Sequence, residues 1–279
     1  MSIFSGLEKM GLGDFKDVSV LDEKKESTTT DGAPKAVEIK EADILFDKRY
    51  TCPVCERNFT SKCVRAGKIK NTGKDTDLRP IYEIMDPLKY DAVTCDRCGY
   101  SAITRYFGKL SDKQISAIRQ QVGTSFTGID NNKEVFSYDD AIDRYKLALL
   151  CSVIKHSKNS ERAYTCLKMA WVFRGKRLLL DEKNPEIKGI YENELECLKN
   201  AYETFMIALQ TESFPIAGMD EHVLKYVLAD IARRLKRYDE ASKLISLVIT
   251  SRATPSRLKD QALMLKETIK EEMKKANPL

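Results

Sequence analysis

The sequence contains no long apolar run, few histidines and none of the short motifs typical of phosphate or hydrolytic chemistry. Nowhere in its 279 residues does an apolar stretch approach the roughly 18 residues that a membrane span needs. Only two histidines occur, His156 and His222, and neither lies near a cysteine or a Ser/Asp constellation in the sequence. No P-loop, G-x-G-x-x-G or H-E-x-x-H pattern is present. These absences argue against a membrane protein and against common enzyme classes, so we expect no catalytic activity.

The composition is that of a soluble globular protein. Hydrophobic residues make up 42% of the chain, charged residues make up 32%, and the formal net charge is +5. Like charges do not gather in blocks, so the charge permits nucleic-acid binding without arguing for it. Residues 1–13 have too short an apolar stretch and no small-residue cleavage site, so we predict no signal peptide. The expected location is the cytoplasm.

Four of the eight cysteines form two C-x-x-C pairs, Cys52 with Cys55 and Cys95 with Cys98. A turn between cysteines at this spacing places both sulfurs on one side of a knuckle, and two such knuckles complete a tetrahedral shell. Cytosolic proteins use this spacing for metal more than for disulfides. The sequence therefore predicts one structural metal site, with zinc as the expected ion. Iron in a rubredoxin-like site is the alternative, because C-P-x-C also occurs there.

The predicted shell is closed. Four thiolates leave no open coordination position, which argues against a hydrolytic zinc. A structural zinc can contribute on the order of 10 kcal/mol to folding, which matters for a module with little core of its own. The other four cysteines lie among apolar residues and are interpreted as small buried hydrophobes. They are Cys63, Cys151, Cys166 and Cys197.

Composition and periodicity divide the chain into three segments. Residues 1–40 are polar and poor in aromatics, which predicts a disordered N-terminal segment, although the amphipathic first dozen residues could form a helix that docks on a partner. Residues 41–108 form the cysteine module, where short alternating runs such as 58–64 and 90–94 predict strands. Turns are predicted at Gly67, 71–73 and 86–87.

Residues 109–279 have a helical pattern with short connections, which predicts helices packed on helices. The fold class is therefore mostly α, with a small zinc-ribbon-like β module followed by an α-helical tetratricopeptide-like or helical-bundle domain. Capping residues and an Asn-Pro pair mark the starts of the seven predicted helices. These starts lie at or next to Ser111, Ser137, Asn159, Pro185, Asp220, Tyr238 and Ser256.

Two helix starts about 100 residues apart resemble each other, 138–142 and 238–242. The Tyr-acidic-acidic-Ala sequence, small residues such as Ala229 in the preceding helix and the closing Pro255 are typical of a tetratricopeptide repeat. Three repeats of about 34 residues would match the offset. The stretch 184–209 shows no clean consensus, so a generic helical bundle remains the alternative.

A polar loop between the knuckles is a second candidate site. It could contact phosphate, but its carboxylates neutralise half of the basic charge, and a solvated or internally salt-bridged loop is the simpler interpretation. Two carboxylates without the turn glycine and the bidentate glutamate do not make an EF-hand. The candidate functional residues are Arg65, Lys68, Asp75, Asp77, Arg79 and Tyr90.

Most of residues 45–275 resembles the bacterial domain-of-unknown-function family 2225. The resemblance rests on the segments 50–55, 75–80, 86–90 and 95–102, together with Val64-Arg65 and Phe59. It implies a Firmicute-like cytosolic protein with an N-terminal cysteine module and a helical remainder, and it implies no activity. It also suggests that Arg65, Asp77, Arg79 and Tyr90 matter beyond solubility.

The expected function is that of a zinc-stabilised interaction scaffold whose helical surface binds a protein or peptide. The alternative is a nucleic-acid-binding protein that uses the zinc ribbon and its basic loop. A thiol redox protein needs an exposed cysteine with a depressed pKa, which metal-saturated knuckles would not provide. An enzyme with an unrecognised site is the remaining alternative.

Overall fold

The structure is a computed structural model that describes residues 39–65 and 67–276. The disordered segment predicted at 1–40, and the docking helix predicted within it, lie outside the described residues except for positions 39 and 40. Along the described chain, six short strands precede seven α-helices, which confirms the predicted mostly α fold class. None of these helices combines the length and the apolar character that crossing a bilayer requires.

The strands form three separate antiparallel hairpins, β1–β2, β3–β4 and β5–β6. The first and third hairpins each turn through one C-x-x-C pair, whereas the second turns through residues 75–79. The predicted strand at 58–64 coincides with β2. The bounds are β1 Leu45–Thr51, β2 Asn58–Val64, β3 Asn71–Lys74, β4 Pro80–Tyr82, β5 Ala92–Thr94 and β6 Ser101–Ile103.

The turn predicted at 71–73 is wrong, because these residues belong to β3. Asn71 pairs with Tyr82 across the hairpin, and the register shifts between Asn71 and Gly73. The Asn71 side chain accepts a hydrogen bond from the amide of Gly73 at 3.1 Å. The Asn-x-Gly pattern therefore marks an irregularity inside a strand, where a β-bulge produces the same local sequence signal as a turn.

The helices begin where their capping residues predicted. Ser111 and Ser137 each form a capping box with the residue three positions later, and the Asp220 side chain accepts from the amide of Val223. Asn159 is one residue inside its helix, and Lys158 holds the cap position without a side-chain hydrogen bond. The bounds are α1 Asp112–Ile118, α2 Tyr138–Ile154, α3 Asn159–Leu178, α4 Glu186–Thr211, α5 Glu221–Arg234, α6 Tyr238–Thr250 and α7 Ser256–Ala276. Single 3-10 turns occupy Glu41–Ile44, Pro87–Tyr90 and Thr104–Tyr106, and a π turn Arg119–Gly123 follows α1.

The two similar helix starts begin α2 and α6, and in both the alanine is fully buried, as Ala141 and Ala241. Three two-helix repeats between them would require six helices, yet residues 138–237 contain only α2, α3, α4 and α5. The match to three repeat lengths is therefore wrong, because α3 and α4 are longer than repeat helices. The pair α5–α6 has the length of one repeat unit, and a true repeat array remains a prediction.

Two hydrophobic clusters link the module to the helices. The larger contains Leu88, Ala92 and Ile103 of the module together with buried residues of α2 to α7. The smaller surrounds the paired cysteines and includes Ile118 and Cys151. The domain boundary at 108/109 stays a prediction. Both clusters contain residues from either side of it, and the described residues from Ile39 onward form one compact unit.

Candidate metal centre and buried ion pairs

The four predicted ligand sulfurs come together. Every pair of Sγ atoms in the group Cys52, Cys55, Cys95 and Cys98 lies within 4.8 Å. Cys52 and Cys98 are 3.5 Å apart, and Cys55 and Cys95 are 3.6 Å apart. A tetrahedral zinc with metal–sulfur bonds of about 2.3 Å requires sulfurs about 3.8 Å apart. The donor set and its size therefore fit a four-thiolate metal centre.

The first knuckle is a tight turn closed by backbone hydrogen bonds. The amide of Cys52 donates to the carbonyl of Arg57 at 2.9 Å, and the amide of Glu56 donates to the carbonyl of Cys52 at 2.9 Å. This reversal places Glu56 at φ 60°, in the left-handed region that residues with a Cβ rarely adopt. The strand ends of β1 and β2 thus hold Cys52 and Cys55 on the same side.

The second knuckle repeats this pattern with glycine at the strained position. The amide of Cys95 donates to the carbonyl of Tyr100 at 2.9 Å, and the amide of Gly99 donates to the carbonyl of Cys95 at 3.1 Å. Gly99 has φ 71°, and a Cβ there would lie 2.6 Å from the ring of Phe126. Glycine is needed here both for the backbone angle and for the close packing.

The clustered sulfurs strongly perturb one another's ionisation. A hydrogen bond with Cys95 raises the pKa of Cys52 to about 12, whereas hydrogen bonds from Cys52 and Cys98 lower the pKa of Cys95 to about 2. Hydrogen bonds with both neighbours raise the pKa of Cys98. Without a cation the thiols would share protons, whereas a bound divalent ion would stabilise four thiolates together.

A cationic side chain lies against the first knuckle. The Arg119 guanidinium donates to the carbonyl of Val54 through Nε at 2.9 Å and through a terminal nitrogen at 2.5 Å. Four thiolates around a divalent ion carry two net negative charges. Arg119 both fixes the knuckle backbone and lowers the cost of that charge in a partly buried setting.

The other cysteines do not join the metal group. Cys151, Cys166 and Cys197 are buried, as predicted, and burial raises their pKa values to about 11, 12 and 12. Cys151 lies behind the second knuckle, where its sulfur accepts a hydrogen bond from the amide of Ser101 at 3.4 Å. Cys63 lies in β2 but is only half-buried, so the prediction of full burial is wrong for this residue.

The six candidate residues of the polar loop do not form one surface. Arg65 and Lys68 are exposed, and Arg65 donates to the carbonyl of Leu45 at 3.2 Å. Tyr90 is buried elsewhere, where its hydroxyl donates to Glu41 at 2.6 Å and accepts from the amide of Phe136 at 3.1 Å. The remaining three residues, Asp75, Asp77 and Arg79, lie at the end of the hairpin β3–β4, residues 71–82, which we call the arm.

The tip of the arm, residues 75–79, inserts its central carboxylate between helices. Asp77 is 0% exposed. Its two oxygens accept from Arg174 at 3.0 and 2.7 Å and from the Trp171 indole at 2.9 Å. Burial by itself raises the pKa of Asp77, but the charge and hydrogen bonds of Arg174 outweigh it and hold that pKa below its usual range. Asp77 is therefore an anion buried in a set of fixed donors.

The flanking residues of the tip complete a network of ion pairs. Arg79 donates to Asp86 at 2.7 Å, and its Nε finds no hydrogen-bond partner among the described residues. Arg174 also donates to Asp75 at 3.0 Å and to the buried Glu194 at 2.7 Å. The prediction of a solvated or internally salt-bridged loop is therefore wrong for the tip, whose carboxylates pair mainly with a helix that lies far along the chain.

A second set of contacts joins the tip to α5. The hydroxyl of Thr76 donates to Asp230 at 3.0 Å and accepts from Arg234 at 2.9 Å. Asp230 is itself buried and accepts from Arg234 at 2.7 Å and from Arg233 at 2.9 Å. The sequence does not predict that charged residues of α3 and α5 bind the tip of the arm. The one local signal of this network is the charged Arg174 three positions after Trp171 on a buried helix face.

The comparisons with known proteins identify the family of this chain and add no closer relative. No curated protein and no solved structure matches the chain. The family match extends from the first strand to the last helix, so it covers the metal centre, the arm and the helices that hold the arm. The chain belongs to the family described as "Uncharacterized protein conserved in bacteria (DUF2225)", which matches residues 45–271.

Proposed function

We propose that this protein is a cytoplasmic, non-catalytic scaffold that a structural zinc ion stabilises. It binds a partner protein in a cleft beside the arm. The closed arrangement of four sulfurs supports a structural role for the metal, because no coordination position is left for substrate. The observation that carries the interaction role is the apolar rim of the cleft.

The cleft lies between the arm, residues 83–89 and the C-terminal end of α3, and its volume is about 330 Å³. Leu178 and Leu179 line it and are 62% and 74% exposed. Ile81 on the arm lines it as well and is 39% exposed. Large apolar side chains concentrated at the edge of a concave site are typical of protein-binding surfaces.

The floor of the cleft is polar and internally paired. Arg79 pairs with Asp86 at 2.7 Å, and Lys89 pairs with Glu41 at 2.7 Å. Because these charges are already compensated, they offer little attraction to a free phosphate chain. A protein segment that places apolar side chains against the leucines and hydrogen bonds against the floor fits this surface better than nucleic acid does.

Site-specific photo-crosslinking tests the interaction role. A photoreactive residue at Leu179 in the full chain should capture a defined protein in cells, whereas the same residue at Met264, which is 72% exposed on α7 and outside the cleft, should not. Leu178→Lys in the Leu179 probe should abolish capture. Equal capture at both positions, or capture that nuclease removes, would overturn the proposal, and nuclease sensitivity would favour the nucleic-acid alternative.

Elemental analysis of the purified chain tests the zinc assignment. We expect one zinc per chain and none in Cys95→Ser, while Cys63→Ser should keep full occupancy because Cys63 lies outside the ligand group. Iron at the same stoichiometry, visible as a coloured thiolate complex, would refute zinc but leave the structural role intact.

A further inference from the structure

We propose that the helical surface beneath the arm tip is a receptor for an acidic turn on a partner protein, and that the arm is a resident ligand which this partner displaces. The proposal rests on the scaffold function above and names the chemistry of its partner. The receptor face consists of Trp171 and Arg174 on α3 and of Asp230, Arg233 and Arg234 on α5.

The arm is held by its tip, whereas its strands are largely free. Residues 71, 72 and 74 of β3 and Ile81 of β4 are exposed, while Asp77 at the tip is fully buried. Open space lies on both flanks of the arm. One flank faces the cleft of about 330 Å³, and the other faces a cavity of about 460 Å³ between the arm, α5 and α7. A hairpin bound in this way can detach from the helices without disrupting a packed core.

The receptor face presents donors shaped for a carboxylate. The Arg174 guanidinium meets both oxygens of Asp77, and the Trp171 indole adds a third donor to the same group. Arg234 lies 3.7 Å from the same carboxylate. Planar two-point contact from arginine is the geometry by which proteins recognise carboxylates in general.

The helical ion-pair network around the receptor face carries one positive charge in excess without the tip. The helical ion-pair network contains four arginines and three carboxylates, so an anionic tip completes its neutralisation. These residues are Arg174, Arg177, Arg233, Arg234, Glu194, Asp230 and Glu272. A partner that delivers a carboxylate on a turn would satisfy the same donors that the arm satisfies.

The contact is ionic and includes one strained residue, which favours exchange. Leu78 follows the buried carboxylate with φ 66°, in the left-handed region, and such a backbone costs roughly 1–2 kcal/mol for a residue with a Cβ. Apart from Leu78 the tip residues are polar or charged, so little apolar burial opposes release. Lys74, which contacts Gln261 on α7 at 3.2 Å, is the outermost anchor of the arm.

Peptide binding to the full, metal-loaded chain tests the proposal. The probe is a cyclic peptide that carries residues 75–78 as a turn with two negative charges, and the control peptide has asparagine in place of its second aspartate. Trp171 is the only tryptophan of the chain, so its fluorescence reports the carboxylate contact directly. The variant Asp77→Asn should bind the acidic peptide at least tenfold more tightly than the unmodified protein does, because its own tip no longer competes. The control peptide should bind neither.

Two further variants keep the test decisive. Thr76→Ala removes three hydrogen bonds of the tip without stranding a buried charge, so it should raise peptide affinity over the unmodified protein even if Asp77→Asn fails to fold. Adding Arg174→Lys to either variant should lower that affinity again. Equal binding of both peptides, or no gain in either variant with circular dichroism and zinc content unchanged, would show that the arm is a permanent part of the fold. That result would leave crosslinking at the cleft unaffected, so the two proposals fail separately.

Discussion

Two residues occupy equivalent strained positions in the metal knuckles, and only one of them is glycine. Glu56 has φ 60° and is exposed, whereas Gly99 has φ 71° and is buried against Phe126. The knuckle turn therefore tolerates a side chain where solvent can receive it. At Gly99 the same backbone angle coincides with a neighbour that cannot move far, because the ring lies within the cluster around the sulfurs.

Substitution at these two positions should have unequal effects. Gly99→Ala should lower the free energy of unfolding by more than about 2 kcal/mol, because a left-handed penalty adds to a contact of 2.6 Å. Glu56→Gly should change it by less than about 1 kcal/mol, since relieved strain offsets the added freedom of the unfolded chain. Denaturant titration at fixed free zinc measures both. Equal losses in the two variants would contradict the assigned packing role of Gly99.

Asp77 should stabilise the fold over most of the pH range. Removing its charge in Asp77→Asn should cost about 3 kcal/mol at neutral pH, because Arg174 loses a carboxylate that it contacts through both terminal nitrogens. The folded-state pKa of Asp77 is depressed, so this stabilisation is present above the unfolded pKa of about 3.9 and is lost as pH falls through the folded pKa.

The difference in unfolding free energy between the two proteins should therefore stay constant from pH 8 to 5 and shrink only below about pH 4. Protonation of the metal thiolates also destabilises the protein in acid, but it affects both chains alike and cancels in the difference. Denaturant titrations of both proteins across this pH range provide the measurement. A difference that already declines between pH 7 and 5 would show that the pKa of Asp77 is raised, contrary to the ion-pair geometry.

The residues that sequence reasoning identified are those whose partners are close in the chain. The metal ligands follow from two local spacings, which suffice because each pair already defines a knuckle. The charged neighbours of Asp77 predict a solvated polar loop. Its actual partner Arg174 is 97 residues away, and no local pattern connects them.

Among the secondary-structure elements, the helix starts and the strand β2 follow from the sequence, whereas the pairing of the short strands does not. Capping residues such as Ser137 and Asp220 fix helix starts through bonds that span three residues. The strands β4 and β6 have three residues each, too few for an alternating pattern to emerge. The run at 90–94 predicts the three-residue β5 but begins two residues early. The pairing of these strands depends on the knuckle and on the arm turn, which are tertiary features.

Alanine substitution at two helical glycines tests the effect of helix propensity and the effect of close packing separately. A Cβ at Gly175 of α3 would lie 2.6 Å from the Tyr138 ring of α2, whereas a Cβ at Gly189 of α4 would meet nothing within 4 Å. Gly189→Ala should raise the free energy of unfolding by roughly 0.5–1 kcal/mol through helix propensity alone. Gly175→Ala should lower it, because Tyr138 must move and its hydroxyl contact with Asp86 is disturbed. Thermal unfolding of both variants gives the comparison, and stabilisation by Gly175→Ala would contradict the tight α2–α3 contact.

At the scale of the whole molecule, the metal centre packs against the helical region, but the two parts have separate hydrophobic clusters. The cluster around the sulfurs contains Ile118 and Cys151 from the helical side, and the larger helical cluster contains no metal ligand. The change from alternating to helical periodicity predicts a boundary at 108/109. Periodicity cannot reveal that Leu88 and Ile103, which precede that position, pack into the helical core.

Removal of the metal should therefore unfold one side of the molecule. A chelator should remove hydrogen-exchange protection from β1, β2 and α1, because four thiols in contact cannot replace the bonds of a structural ion, which contributes on the order of 10 kcal/mol. The pair α5–α6 should keep its protection, since its buried residues belong to the helical cluster.

Ellman titration should detect mainly Cys63 before chelation and the four ligands as well afterwards, because Cys151, Cys166 and Cys197 are buried. Cys63→Ser should behave like the unmodified protein in hydrogen exchange. If α5–α6 lost protection together with β1, β2 and α1, the two clusters would be one cooperative unit and the metal would stabilise the entire chain.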